Sequence, residues 1–359
     1  MCKFCMQRKS NISVIDLFCG IGGLTNGLKQ SGMDVKAGID FDKSCKYAYE
    51  TNNDAKFIGE DIAKVTGDDL KKIWGNNTVK VLVGCAPCQP FSTHSNKVKG
   101  KEEGDKWNLL NEYLRLVRET NPLVLSMENV TNLANKDIFA NFVNGLKELD
   151  YYVSYRRVFC PDYGIPQKRR RLVLLASKLG EITILPPTHD KEHYLTVKDA
   201  IGNLPAVDSG KKNKNDFLHF TSKMSELNIK RIKSSVPNGT WEDWNDDLKL
   251  QCHKKQTGKT YRSVYGRMSW NEPSPTITTQ FYNYGTGRFG HPEQNRALTV
   301  REASILQTFP KNYRFTENEN SIYLTRLGTH IGNAVPVKLG YIIGLSILKH
   351  LEAQKNERV

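Results

Sequence analysis

Acidic residues are scarce relative to basic ones: the 359-residue sequence has 38 Asp and Glu against 52 Lys and Arg. The formal net charge of +14 favours a polyanionic partner, above all a nucleic acid, over a soluble protein that is merely basic. Long apolar runs are also missing. No stretch reaches membrane-spanning length, so no membrane partner is expected. Residues 1–9, MCKFCMQRK, contain no apolar segment of the kind found in a secretory signal, which favours a cytoplasmic location.

The cysteines form no dense cluster. Eight of them are scattered along an intracellular-looking chain, which predicts free thiols. Cys85 and Cys88 lie close together in the segment GCAPCQPFS at 84–92. Three interpretations compete: a redox pair, half of a zinc site completed by Cys2 and Cys5, or a loop that presents one nucleophilic thiol.

The position of this segment is informative. It follows the apolar run 81–83, which predicts a buried strand. Gly84, Pro87 and Pro90 then prevent regular structure. Open α/β sheets place their chemistry on loops at the ends of strands, so we expect a functional loop here.

Strand and helix patterns alternate over the first half of the chain. Predicted strands cover 14–18, 35–39, 57–62, 79–83, 123–127 and 172–176. Predicted helices cover 24–31, 43–51, 109–119 and 137–149. The fold class is therefore α/β, with a doubly wound, mostly parallel sheet and helices on both faces.

The alternation stops after 185–187. From there to about residue 265 the chain is polar and irregular, with repeated clusters of lysine. This composition favours a second, smaller domain with basic loops over solvated loops on one larger domain. The apolar stripe over 335–351 predicts a closing helix. We expect a first domain over 1–188, a second domain and hinge over 189–325, and a C-terminal segment, 326–359, that returns to the first domain.

A glycine-rich turn joins the first predicted strand to the first helix. Gly20 and Gly22 fit a dinucleotide fingerprint, but Thr25 occupies its third glycine position, which weakens the case for NAD. Asp40 and Asp61 follow the next two strands, where carboxylates can bind a ribose and an adenine amino group. Nothing nearby is arranged for a pyrophosphate, so the set suits a nucleoside cofactor without one. Ordinary strand-end carboxylates remain the alternative.

Three further motifs are modest when taken singly. Glu128-Asn129-Val130 closes the fifth predicted strand, although a Glu there is often a helix cap. The run 167–171, QKRRR, leads into the strand 172–176 and is usually a solvated basic stretch. In a strand, residues two apart share a face, so Arg169 and Arg171 could together grip an anion or a base edge. The segment 331–336, IGNAVP, predicts an ordinary helix start.

Taken together, these motifs closely resemble the DNA (cytosine-5)-methyltransferase family. The segments FCGIGG (18–23), GCAPCQPFS (84–92), ENV (128–130), QKRRR (167–171), RMSWNEPSPTIT (267–278) and GNAVP (332–336) stand in the order of that family. The resemblance covers about 14–351, and six motifs in register are far more specific than any one of them.

The resemblance implies the methyltransferase fold and S-adenosylmethionine as cofactor, with S-adenosylhomocysteine as product. The residues that would bind the cofactor are Phe18, Gly20, Gly22, Gly23, Asp40, Phe41, Asp61, Ile62, Pro87, Asn333 and Val335. The family more often has Glu at the position of Asp40, which is one methylene shorter.

The resemblance also implies a chemistry. Cys88 would add to carbon 6 of a flipped-out cytosine, Glu128 would bind N3 and the exocyclic amine, and Arg171 with Arg169 would hold the ring and the loop. Carbon 5 would then take the methyl group, and loss of its proton and of Cys88 would release the product. The polar loop 92–107 would close over DNA.

Double-stranded DNA is the implied partner, read by a variable target-recognition region between about 178 and 264. The compact build resembles bacterial restriction–modification methylases. We therefore expect a monomer in the bacterial nucleoid and a possible cognate endonuclease that acts on the same DNA site without contacting this chain.

Other functions remain open. They are an NAD-dependent oxidoreductase, a tRNA cytosine-5 methyltransferase, and an inactive DNA-binding homologue. The tRNA enzymes carry a Cys-Phe-Thr segment that this sequence lacks. A zinc site would remove the nucleophilic role of Cys88, so no metal is expected. Cys85 has no role in the implied chemistry: it is interpreted as a bystander, or else as a thiol that could be methylated or pair with Cys88.

Overall fold

The computed structural model describes residues 12–76, 79–87, 102–255 and 262–356. The chain divides into two compact units. Unit 1 contains the described parts of 1–158, 170–186 and 335–359, and unit 2 contains those of 159–169 and 187–334.

Unit 1 is built on a seven-stranded sheet with the order β3-β2-β1-β4-β5-β7-β6. The strands are β1 Ile12–Leu17, β2 Val35–Ile39, β3 Lys56–Ile58, β4 Val79–Gly84, β5 Val124–Asn129, β6 Tyr152–Phe159 and β7 Arg170–Ser177. Strands β1 to β5 pair in parallel, and β7 pairs antiparallel with β5. The predicted mostly parallel α/β sheet is confirmed.

Eleven α-helices occur among the described residues. They are α1 Gly23–Gln30, α2 Lys46–Asn53, α3 Gly67–Trp74, α4 Glu102–Thr120, α5 Asp137–Lys147, α6 Val197–Ile201, α7 Glu226–Ser234, α8 Gln251–Lys254, α9 Val300–Leu306, α10 Leu324–Asn333 and α11 Val337–Asn356. The predicted loop 92–107 is wrong over its last residues, because helix α4 already begins at Glu102. Helix α3, which begins with a capping box at Thr66, was not predicted.

The sheet of unit 1 is buried on both faces. Ile15, Leu82 and Leu125 belong to one apolar cluster, which also contains side chains of α3, α4 and α5. Val14, Val81 and Val124 alternate with them along the strands and are equally buried. Near-continuous apolar strands are the expected consequence of covering both faces.

Helices α1 and α11 pack so closely that only glycine fits at two positions of their contact. A Cβ atom on Gly27 would lie 2.1 Å from the carbonyl oxygen of Val337, and one on Gly340 would lie 2.7 Å from that of Leu24. The stretch Leu324–Asn356 has the length of a membrane span, and its most apolar window has a mean hydropathy of 1.5, contrary to the expectation that no stretch is long and apolar enough. However, 67% of its most apolar window is buried inside the structure, which is typical of a core helix.

Unit 2 has an apolar core of its own, although its sequence is polar and irregular. The core contains Ile232, Trp241, Trp244, Leu248, Tyr284 and Ala297. The buried guanidinium of Arg267 donates hydrogen bonds to the carbonyl oxygens of Ile232, Ser235 and His291. Backbone carbonyls thus satisfy a charge that the apolar surroundings would otherwise destabilise.

The expected domain bounds differ from the two compact units at two places. The C-terminal return to unit 1 begins at Val335, not at 326. The segment 159–169 belongs to unit 2, not to the first domain. Lys168 donates its backbone N–H to Ser274 O, and Ser274 donates its own to Pro166 O. These hydrogen bonds explain why a segment flanked by two strands of the sheet groups with unit 2.

Candidate active site

The carboxyl ends of the parallel strands meet at one edge of the sheet. Leu17 stands opposite both Ile39 and Gly84 in the ladder. The ladder continues one step further, because Cys85 donates its N–H to Leu17 O at 3.2 Å and Asp40 donates to Ile58 O at 3.1 Å. The glycine turn, Asp40 and the loop that begins at Cys85 therefore leave the sheet together, as open α/β sheets require for a site.

The glycine turn after β1 adopts left-handed backbone conformations. Phe18, Gly20 and Gly22 have φ angles of 58°, 50° and 85°. Gly23 begins α1 directly afterwards. Left-handed conformations are disfavoured for a residue such as Phe18 and cluster at ligand sites.

Asp40 holds this turn. Its Oδ2 accepts the N–H of Gly20 at 2.8 Å, and its Oδ1 accepts that of Asp42 at 2.9 Å. Asp40 therefore links the end of β2 to the glycine turn, a role that the sequence did not reveal. This role explains why an Asp, which is one methylene shorter than Glu, stands here.

A second carboxyl group lies beneath the turn. Asp16 is fully buried; its Oδ2 accepts a 2.6 Å hydrogen bond from the hydroxyl of Thr25, which also lies 3.0 Å from the hydroxyl of Tyr49. Its Oδ1 is buried without a hydrogen-bond partner among the described residues. Burial raises the pKa of Asp16 to about 7. Thr25 occupies the third glycine position of the NAD fingerprint, and its observed role is to donate a hydrogen bond to the buried carboxyl group of Asp16.

The predicted adenine contacts differ in exposure. Phe41 is 73% exposed, an unusual position for a large apolar ring. Asp61 is exposed and accepts the N–H of Ala63, which caps a short 3₁₀ turn. The side chain of Ile62 lies in the apolar core, so only its backbone is available to a ligand.

Glu128 forms the centre of a small polar cluster at the end of β5. Its side chain is 2% exposed. The Nε atom of Arg171 lies 2.8 Å from Glu128 Oε1, and the thiol of Cys85 donates to Glu128 Oε2 at 2.7 Å. Burial, followed by the charge of Glu128, raises the pKa of the Cys85 thiol well above its ordinary value, so the thiol stays protonated.

The neighbouring asparagine fixes the loop backbone. Asn129 donates from Nδ2 to the carbonyl oxygen of Ala86 at 3.0 Å, and both residues are buried. Pro87 is exposed. Cys88 and residues 89–101 lie outside the described residues. The contacts of Asn129 with Ala86 and of Cys85 with Glu128 were not predicted from the sequence. They follow from the pairing register of β4 with β5.

Arg169 has different contacts from Arg171. Strand β7 begins at Arg170, so the expectation that both arginines share one strand face is wrong. Arg169 is 2% exposed and donates to the carbonyl oxygens of Ile277, Gly332 and Ala334 within unit 2. Its observed role is to hold two backbone segments of that unit, one at Ile277 and one at 332–334.

The segment 331–336 is also corrected. Asn333 is exposed at the last residue of α10, and α11 begins only after Pro336, so the segment links two helices and does not start one. Val335 is 5% exposed in unit 1. A Cβ atom on Gly332 would lie 2.4 Å from the backbone of Thr278, which explains glycine there.

Comparison with known proteins agrees with these features. Residues 12–349 match the family described as C-5 cytosine-specific DNA methylase. The Type II methylase M.HgiDII of Herpetosiphon aurantiacus is 52% identical over 95% of this chain and 96% of its own length. The Type II methyltransferase M.Eco47II of Escherichia coli is 32% identical over 96% of this chain and 81% of its own length.

Solved structures show the same fold. A putative DNA modification methyltransferase encoded within an E. coli prophage superposes with a TM-score of 0.71 at 22% identity, over 95% of this chain and 99% of that one. The S. pombe Dnmt2 methyltransferase superposes with a TM-score of 0.58 at 15% identity, over 94% and 98%. The methyltransferase fold is confirmed. The chain belongs to the C-5 cytosine-specific DNA methylase family, as a DNA (cytosine-5)-methyltransferase of the bacterial restriction–modification type.

Proposed function

We propose that this enzyme transfers a methyl group from S-adenosylmethionine to carbon 5 of a flipped-out cytosine in a specific double-stranded DNA sequence, through a covalent adduct of Cys88 with carbon 6. One observation carries the proposal. The buried carboxylate of Glu128, paired with Arg171, lies at the same sheet edge as the glycine turn and the loop that leads to Cys88.

The residues of the glycine turn fit S-adenosylmethionine. The turn is left-handed at Phe18, Gly20 and Gly22, and a Cβ atom on Gly20 would meet nothing within 4 Å, so there is open space beside its backbone. The Oδ1 atom of Asp16 is a buried polar atom without a hydrogen-bond partner among the described residues. Phe41 offers an exposed ring for stacking on adenine, and Asp61 an exposed carboxylate for its amino group. When bound, the cofactor supplies a methyl group on a positively charged sulfur. Pro87, Gly22, Gly23, Asn333 and Val335 complete the proposed set.

The protein residues have separable roles. The thiolate of Cys88 adds to carbon 6, because a thiolate is a strong nucleophile and also leaves readily. Glu128 accepts a hydrogen bond from the exocyclic amine of the base and contacts N3 through a proton, and a proton on N3 makes carbon 6 more electrophilic. Arg171, whose Nε atom lies 2.8 Å from Oε1, compensates the buried charge of Glu128. Arg169 acts only indirectly, through the backbone of unit 2.

Unit 2 is the proposed target-recognition domain. Its basic clusters divide by exposure: Lys211, Lys230 and Lys233 are exposed and suited to phosphate contacts. Arg231 is buried, donates to Leu248 O at 2.9 Å, and so belongs to the core. Such lysines would position the DNA backbone, whereas other side chains read the bases.

In the cell we propose protection of host DNA from an endonuclease with the same recognition sequence. The enzyme would act as a cytoplasmic monomer on the nucleoid. The relatives named as Type II methylases support this role. No contact with the endonuclease is required, because the methylated DNA itself carries the protection.

The substrate can be tested directly. Purified protein with labelled S-adenosylmethionine should transfer label to double-stranded bacterial DNA and not to tRNA. Bisulfite sequencing of DNA from cells that express the protein should show one methylated sequence context. Label in tRNA alone would contradict the DNA assignment, and binding of NAD without binding of S-adenosylmethionine would contradict the reaction class.

Phe41 gives a prediction for cofactor binding. Phe41→Ala should weaken S-adenosylmethionine binding by about tenfold, the usual cost of losing an aromatic stacking partner, as measured by isothermal titration calorimetry. Thermal stability should not fall, since the ring is 73% exposed. Tyr152→Ala is the matched control, because this ring is also exposed (54%) but lies on the edge strand β6. Equal affinities for Phe41→Ala and wild type would remove Phe41 from the pocket.

A further inference from the structure

Cys85 is the feature of this site that the proposed chemistry leaves unused. It is three residues before Cys88, and its thiol points at Glu128. The two oxygens of Glu128 have different partners: Arg171 Nε is 2.8 Å from Oε1, and Cys85 Sγ is 2.7 Å from Oε2. Oε1 therefore has a charged neighbour but no hydrogen bond among the described residues, and Cys85 is the hydrogen-bond donor that fixes Oε2.

The backbone around Cys85 is fixed on both sides. Gly84 is the last residue of β4, and a Cβ atom there would lie 2.9 Å from Leu17 O. Cys85 donates its N–H to that same oxygen, and Asn129 holds the carbonyl oxygen of Ala86. A side chain that starts from such a backbone has little freedom, so its donor direction is set by the sheet.

The thiol is suited to donate and unsuited to react. Burial and the nearby negative charge of Glu128 raise the pKa of Cys85. A protonated thiol is a hydrogen-bond donor and a weak nucleophile. This argues against the earlier hypothesis that Cys85 accepts a methyl group itself.

We propose that Cys85 is a positioning residue for cytosine recognition: its S–H fixes Oε2 of Glu128 so that the carboxylate meets the flipped base without reorienting. The inference rests on the proposed contact between Glu128 and the base. The S–H of Cys85 occupies one of the about four lone-pair sites of the carboxylate, which leaves sites for the exocyclic amine of the base and for a proton shared with N3. Preorganised groups of this kind cost no reorganisation when the substrate arrives.

The comparison of alanine with serine isolates the hydrogen bond. Cys85→Ala and Cys85→Ser both remove the sulfur, but only serine retains a donor. We expect Cys85→Ala to lower the single-turnover rate of methyl transfer about tenfold, in line with the loss of a hydrogen bond to a charged group, and Cys85→Ser to recover most of it. The KM for S-adenosylmethionine should stay unchanged in both. Equal losses in the two variants would overturn the inference, because sulfur packing would then be the cause.

A double-mutant cycle shows whether Cys85 acts through Glu128. In a Glu128→Gln background, Cys85→Ala should change the rate less than about twofold, because the acceptor it positions has been altered. If the rate loss in the double variant equals the product of the two single losses, Cys85 acts independently of Glu128 and the inference is overturned. If Glu128→Gln alone leaves the wild-type rate unchanged, Glu128 does not act on the base. The proposed role of Glu128 then fails, and the inference about Cys85 fails with it.

Discussion

Cys88→Ser is expected to abolish methyl transfer to DNA, with a loss of more than about a thousandfold in the single-turnover rate, as for other enzymes that lose a covalent nucleophile. A serine hydroxyl is scarcely ionised at neutral pH and is a poor leaving group from carbon 6, so both addition and elimination suffer. Transfer of labelled methyl groups to the DNA sequence identified by bisulfite analysis measures the effect.

The covalent step has its own readout. DNA with 5-fluorocytosine at the target should trap the wild-type protein, because fluorine at carbon 5 cannot leave as a proton and Cys88 therefore cannot be eliminated. Cys88→Ser should form no such complex under denaturing electrophoresis, while S-adenosylmethionine binding stays near the wild-type level. Cys85→Ser is the matched control and should still be trapped. Methylation by Cys88→Ser at the wild-type rate would remove the adduct from the mechanism.

The sheet could be predicted where burial dictates the sequence. Strands such as β1 and β4 are apolar on both faces because helices cover both faces, and residues such as Val14 and Val81 reveal this directly. Strand β6 was missed because it lies at the sheet edge, where Tyr152 and Tyr155 are exposed and no apolar alternation marks the strand. Edge strands are specified by pairing more than by pattern.

The site could be predicted only in part. The position of Asp40 at a strand end was readable from sequence, but its hydrogen bond to Gly20 depends on how the turn folds back. The contact of Cys85 with Glu128 depends on the register of two strands separated by a long helix, and no local pattern encodes it. The prediction for Arg169 was wrong because β7 begins one residue later, at Arg170, so Arg169 lies outside the strand and makes other contacts.

Asp16 gives the second large effect, on the pH dependence of stability. Its pKa is raised from an ordinary 3.8 to about 7 because burial disfavours the charged form. The folded protein therefore keeps a proton that the unfolded chain releases between these values. The stability that this proton provides is complete below about pH 4, falls as the pH rises, and is lost above about pH 7. The total change corresponds to about 4 kcal/mol in the free energy of unfolding.

Asp16→Asn should remove this dependence. Asparagine has nearly the same shape, and its Oδ1 can still accept the hydrogen bond that Thr25 now donates to the carboxyl group. Urea denaturation at several pH values between 5 and 8 should show the stability of wild type falling relative to that of Asp16→Asn, by about 1.4 kcal/mol per pH unit below pH 7. The variant should be the more stable protein at pH 8.

Asp68→Asn is the matched control, because it makes the same substitution at a side chain that is 79% exposed. It should keep the wild-type pH dependence. Parallel curves for wild type and Asp16→Asn would show that the carboxyl group is already ionised in the folded protein.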